Sequence, residues 1–192
     1  MLSSAAGLIL ELLLVTQASY LAGNATLATG VVVGTFLAAM GLGAWLTEFL
    51  AVSTTPRPAL LRCLVIVELS LCPLCLLGPL VLFQLFAIDG PLWLAVVVLT
   101  ILVGVLGGME LPLITRLLET QQQLRQVLAR VLALDYFGSL LGALAFPLLL
   151  LPTLGLLPTA AALALVPIGC ACWLSWAFDD LRRWRRGSRA RG

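Results

Sequence analysis

The chain has 192 residues, 61% of them hydrophobic and 10% charged, with a formal net charge of +2 and a mean hydropathy of +1.12. A soluble domain carries roughly 25% charged residues. This composition therefore excludes a water-covered globule and leaves no room for a soluble enzyme domain beside the apolar runs. There is no Lys and no His, so every basic residue is an Arg. Without His the commonest general base and metal ligand is missing. No catalytic residue, metal or cofactor is expected, and no nucleic-acid partner.

A run of ~20 apolar residues spans the hydrocarbon of a bilayer as a helix. In chain order such runs are Leu2–Ala22, Thr26–Leu50, Leu60–Ala87, Pro91–Leu118, Val127–Leu151 and Leu157–Phe178. They are continuous, whereas the strands of a membrane β-barrel alternate over ~10 residues. The expected fold is an all-α integral membrane bundle of about six transmembrane helices. Leu2–Ala22 lacks a positively charged start and carries Glu11, so it reads as a retained helix and not as a signal peptide. The connections Gly23–Ala25, Ile88–Gly90 and Pro152–Leu156 hold no Arg. Ala51–Pro58 with its flanks, Arg116–Arg130 and the tail Asp179–Gly192 hold all 11. Positive charge accumulates on the cytoplasmic side, which predicts a multi-pass protein of the cell (inner) membrane with both termini and the Arg-rich tail in the cytoplasm. The tail, with Trp184, is suited to lipid headgroups.

Three glycine pairs at a spacing of four, Gly30/Gly34, Gly104/Gly108 and Gly138/Gly142, fit the small-xxx-small pattern that lets helices approach closely in lipid. They predict tight packing inside the bundle, with a homodimer as the alternative. Gly41 and Gly43 extend the second helix's set.

Four acids interrupt the apolar runs: Glu11, Glu68, Glu110 and Asp135. A charge near the bilayer centre costs ~2.5–3.5 kcal/mol on insertion scales. Counted along each run at ~1.5 Å per residue, all four lie ~12–13 Å from the cytoplasmic side. No basic residue shares that level, although Arg62, Arg116 and Arg130 lie near the rim. Two readings stand. Either each acid is protonated or held by neighbouring hydroxyls, with Tyr20, Tyr136, Thr115 and Ser139 as partners, or the acids line a cytoplasm-facing cavity for a polyamine or another cation. Tyr20 and Tyr136 join the acids as candidate ligand-binding residues.

The five cysteines all sit in apolar runs. Cys72 and Cys75 form a CxxC pair, but no Cys in an outer connection could serve as a relay, so small apolar packing is the expected role.

Several segments resemble the membrane-embedded domain of bacterial spermidine synthase-like (polyamine aminopropyltransferase) proteins. They are LDYFGSLLGALAFPLLLLPTLGL (Leu134–Leu156), GGMELPLITR (Gly107–Arg116), ELLLVTQASYLAGN (Glu11–Asn24), FLAAMGLGAWL (Phe36–Leu46) and the IVEL run around Glu68. The resemblance covers most of the chain in order. It implies that the four acids match acidic positions of the family pattern. In that family such a domain usually precedes a cytosolic aminopropyltransferase domain with a Rossmann-like fold. Nothing after Phe178 matches that domain, so the chain is expected to be the membrane module alone, and aminopropyl transfer does not carry over. The resemblance implies polyamine binding or transport, or membrane tethering of a synthase supplied as a cytosolic domain. Two alternatives remain: a half-transporter of major-facilitator type acting as a dimer, for which MGLGAWLTE (Met40–Glu48) sits at the right junction, and a non-catalytic structural subunit assembled with other membrane subunits.

Overall fold

A helix satisfies its backbone hydrogen bonds within its own segment, and long uninterrupted apolar runs become helices here. The computed structural model describes residues 2–50, 57–118 and 124–189; segments 51–56 and 119–123 and residues 190–192, including Arg191 of the tail, lie outside them. The elements are α1 (Leu2–Ala22), α2 (Ala25–Leu50), α3 (Arg57–Ala87), α4 (Leu92–Leu118) and α5 (Leu124–Ala145), then a π-helical segment (Phe146–Leu150), α6 (Leu151–Leu154) and α7 (Leu156–Arg189). Among the described residues the fold is all-α, with 6 helices long and apolar enough to cross a membrane.

α1 is the central helix, touching α2, α3, α4, α5 and α7. Leu10, Leu13, Leu14 and Ala18 form its core contribution. α5 lies at the periphery, packed on α1 and α4, and Leu134, Phe137, Leu141, Leu144 and Leu148 are exposed along it and its π-helical extension. Ser3 contacts Glu68, and Gln17 further along contacts Pro79, so α1 and α3 run in the same direction. Leu174 of α7 packs on the cluster of Leu60 and Leu64 near the start of α3, so α7 runs oppositely to α3.

Close approach is concentrated between α2 and α4. A Cβ added at Gly43 or Gly108 would fall on the carbonyl oxygen of Val105 or Met40, and one at Gly104 would lie 2.7 Å from Ala39 Cβ. The backbones touch there because no side chain intervenes. Gly30 and Gly34 do not take part: among the described residues, nothing lies within 4 Å of a Cβ built at either. They occupy the outward side of α2, and the expectation that this pair packs inside the bundle is corrected. Gly142 meets the backbone of Ala5, and Gly138 is buried one turn away.

Helix ends differ from the limits of the apolar runs. α3 starts at Arg57 and not at Leu60, since Pro58 suits a first turn, where its missing N–H has no helical partner to lose. α7 continues past Phe178 to Arg189, because arginine is a good helix former whatever its polarity. After α5, Pro147 supplies no N–H, the chain widens into the π segment, and the Leu151 N–H donates to Phe146 O. Helix then persists to Leu154, and the expected loop Pro152–Leu156 shrinks to a break at Gly155, whose φ of 81° is one that glycine adopts freely.

Candidate functional site

Three of the four acids of the apolar runs gather at the first turn of α1. Ser3 Oγ lies 3.0 Å from Glu68 Oε1 of α3 and 2.7 Å from Glu110 Oε2 of α4. The neighbouring Ser4 Oγ donates to Asp135 Oδ1 of α5. Three carboxyl groups from three helices thus meet two hydroxyls on a fourth. Glu68 is 3% exposed, and its Oε2 has no hydrogen-bond partner. Glu110 and Asp135 are half-buried.

The level of this cluster follows from the helices that supply its acids. From Arg57 to Glu68, α3 rises ~16 Å, and Glu68 meets Ser3 of α1. The cluster therefore lies about three turns inside the described ends of α3 and α5 and about two turns inside that of α4. The hydrophobic clusters agree. The larger one contains α1 throughout, whereas the smaller one joins Leu60, Leu64, Val67 and Leu113 of α3 and α4 with Leu174 of α7 and includes no residue of α1. A helix N-terminus carries unpaired N–H groups and roughly +0.5 of a charge. Carboxylates are at their least unfavourable inside an apolar bundle next to such an end.

The glycines of α5 contribute to the placement. Asp135, Gly138 and Gly142 fall on one side of the helix at i, i+3 and i+7. Gly142 seats α5 on the backbone of Ala5, and Asp135 reaches Ser4 on the same side.

The remaining candidates lie elsewhere. Glu11 is buried at 8% exposure but lies ~12 Å further along α1 than Ser3, so it is not in the serine-centred cluster. Tyr20 is 78% exposed and ~25 Å along α1 from the serines, and Tyr136 is 70% exposed. Neither joins the acids. Tyr136 follows Asp135 in the chain, but one residue is a rotation of ~100° about a helix, enough to turn it outward. Thr115 donates to its own helix at Leu111 O, 2.8 Å away. The partners that sequence reasoning missed are Ser3 and Ser4. Their signal was a pair of hydroxyls at the first turn of an otherwise apolar run, where serine favours the helix start.

A second buried polar group lies in the other half of the bundle. Gln17 Nε2 donates to Pro79 O at 2.7 Å, and Gln17 Oε1 has no partner. This bond ties α1 to α3 beside Pro79, whose missing N–H interrupts the helix's own ladder.

The chain is 33% identical over 173 residues to the polyamine aminopropyltransferase of Leptospira interrogans, covering 90% of this chain and 34% of that protein. It is 37% identical over 174 residues to polyamine aminopropyltransferase 2 of Ralstonia nicotianae, covering 90% and 33%. It is also 37% identical over 170 residues to polyamine aminopropyltransferase 1 of Streptomyces coelicolor, covering 86% and 30%. No family model matches the chain, and no solved structure matches it. Across most of its own length and about a third of theirs, this chain is related to the polyamine aminopropyltransferases, the spermidine synthase-like relationship that its motifs imply.

Proposed function

We propose that the chain is a membrane-embedded, polyamine-binding module of a spermidine synthase-like protein. It lies in the inner membrane with both termini and the Arg-rich tail in the cytoplasm, and it takes an ammonium group of a polyamine at the cluster of Glu68, Glu110 and Asp135. The carrying observation is that three acids from three helices converge on Ser3 and Ser4 of α1 while a buried oxygen of Glu68 has no donor. Amine recognition needs several acceptors around one cationic group, because an alkylammonium presents three donors and no acceptor. Glu68 Oε2, buried and without a partner, is one such acceptor. The relatives' names supply the substrate class, and the six apolar helices supply the membrane. The orientation rests on the 11 Arg, which accumulate on the cytoplasmic side. Polyamines in the cytoplasm would reach the cluster from the Arg-bearing ends of α3, α4 and α5.

The test is calorimetric titration of the purified chain in detergent with spermidine and putrescine. Saturable binding is expected, weakened about tenfold or more, equivalent to ~1.4 kcal/mol, by Glu68→Gln. Affinity unchanged in that variant would make the acids structural anchors for α1. Absence of binding in the parent chain would favour a tether that holds a synthase at the membrane without a ligand of its own.

A further inference from the structure

The hydrogen bonds around Ser3 do not balance without one additional proton. A serine hydroxyl has a single hydrogen to donate, yet Ser3 Oγ is within hydrogen-bond distance of two carboxyl oxygens, Glu68 Oε1 at 3.0 Å and Glu110 Oε2 at 2.7 Å. If the hydroxyl hydrogen goes to one carboxylate, the other faces a serine lone pair. That second contact is attractive only if the second carboxyl carries a proton of its own and donates it to Ser3 Oγ. The same half-satisfied group holds Glu68 Oε2, buried and without a partner, in a residue 3% exposed. Two negative charges bridged by one neutral hydroxyl would also be costly in an apolar surrounding, where buried charge requires compensation.

We propose that Glu68 and Glu110 share one exchangeable proton through Ser3, and that an ammonium group arriving at the cluster takes the place of that proton. The exchange rests on the amine-binding reading above. In the empty site the Glu110 carboxyl donates to Ser3 Oγ, and the Ser3 hydrogen goes to Glu68 Oε1. On binding, the O–H bond of the Glu110 carboxyl breaks and its proton leaves to water at the Arg-bearing ends of α3, α4 and α5. The carboxylate then pairs with an N–H of the ammonium, whose other donors are available to Glu68 Oε2. One positive charge enters and one leaves. The net charge of the buried group is unchanged, which avoids the cost of adding an uncompensated charge.

Among the described side chains, the carboxyls on the surrounding helices are Glu11 on α1, Asp135 on α5 and Glu48 on α2. Asp135 is bonded to Ser4, and Glu48 is exposed. The basic groups among the described side chains are Arg62 on α3, Arg116 on α4 and Arg130 on α5, with Arg62 and Arg130 exposed. The thiols are Cys63, Cys72 and Cys75 on α3 and Cys170 and Cys172 on α7. None of them donates to the Ser3 group.

Two measurements on the full chain decide the matter. The first is the infrared difference between the ligand-free parent and Glu110→Gln, whose amide donates permanently to Ser3 Oγ in place of the acid. A protonated-carboxyl C=O band, shifted by deuterium and absent from the variant, is expected. No such band overturns the shared proton. Ser3→Ala keeps both acids and removes the bridge, so the band should move; an unmoved band places the proton elsewhere and overturns the assignment. The second is spermidine titration in two buffers of different ionisation enthalpy. About one proton released per spermidine is expected, and none in Glu110→Gln. Binding without release overturns the exchange and leaves the amine reading standing. A band without any binding overturns the amine reading, and the exchange with it, while the shared proton stands.

Discussion

The α2–α4 seam and the first turn of α1 are both places where helices come close, for opposite reasons. At the seam Gly43, Gly104 and Gly108 bring backbone against backbone, with carbonyl oxygens where side chains would be. Nothing charged is present, and the attraction is dispersion and shape. At the first turn, hydroxyls and carboxyls from four helices meet, and attraction depends on how many hydrogens are available to how many oxygens. The seam is intolerant of volume and indifferent to charge. The polar turn is intolerant of a lost donor. One bundle thus separates its rigidity from its chemistry, with the outer helix α2 fixed by fit and the inner helix α1 fixed by hydrogen bonds.

The largest expected effect breaks the seam. Gly108→Ala places a Cβ on Met40 O, where only a backbone shift can relieve it. Overpacking of this kind costs ~1–3 kcal/mol, and this position belongs at the upper end because the obstruction is backbone. Gly34→Ala is the control, with open space at its Cβ; it should change stability by no more than ~0.5 kcal/mol or gain slightly from alanine's better helix propensity. Thermal unfolding of the two variants in the same detergent reads the difference. Equal melting temperatures would mean that α2 presents a different side to α4.

A smaller effect is expected at the polar turn. Ser4→Ala removes the donor to Asp135 and creates no clash. Hydrogen bonds to charged groups contribute ~1.5–3 kcal/mol, and Asp135 is only half-buried, so about 1.5 kcal/mol is expected. Ser4→Thr, which retains the hydroxyl, should restore most of it. If alanine and threonine melt alike, Asp135 draws its stabilisation from the start of α1 and not from the hydroxyl.

The helical class was legible because each apolar run is long, continuous and interrupted by few charges. Rotation and depth were less so. Spacing marks Gly30/Gly34 and Gly104/Gly108 as equivalent, yet only the second pair lies in a contact, since a glycine pair says nothing about which side of its helix has a neighbour. Depth counted from the start of each apolar run placed Glu11 level with Glu68, but Glu68 meets Ser3, eight residues before Glu11, so the two separate by about two helical turns along α1. Ser3 and Ser4 were overlooked because a hydroxyl at a helix start is ordinary, and its meaning depends on three helices far away in the chain. The helical course of α7 through its arginines was hidden for the converse reason, because hydropathy reports where lipid can cover a helix and not where the helix stops.

The smallest expected effects sharpen the boundary of the polar turn. Tyr136→Phe removes a hydroxyl from a residue adjacent to Asp135 in the chain but 70% exposed. Its ring has turned ~100° away from the Asp135 side of α5, which is held on α1 by Gly142. Stability should change by no more than ~0.5 kcal/mol, and spermidine affinity should stay within about twofold, ~0.4 kcal/mol. Tyr20→Phe, at the opposite end of α1, should be equally silent. Should Tyr136→Phe weaken spermidine as much as Glu68→Gln does, the ligand would have to sit against the outward side of α5. The buried oxygens at Ser3 would then be an anchor for α1 alone, and chemistry and rigidity would share the inner helix after all.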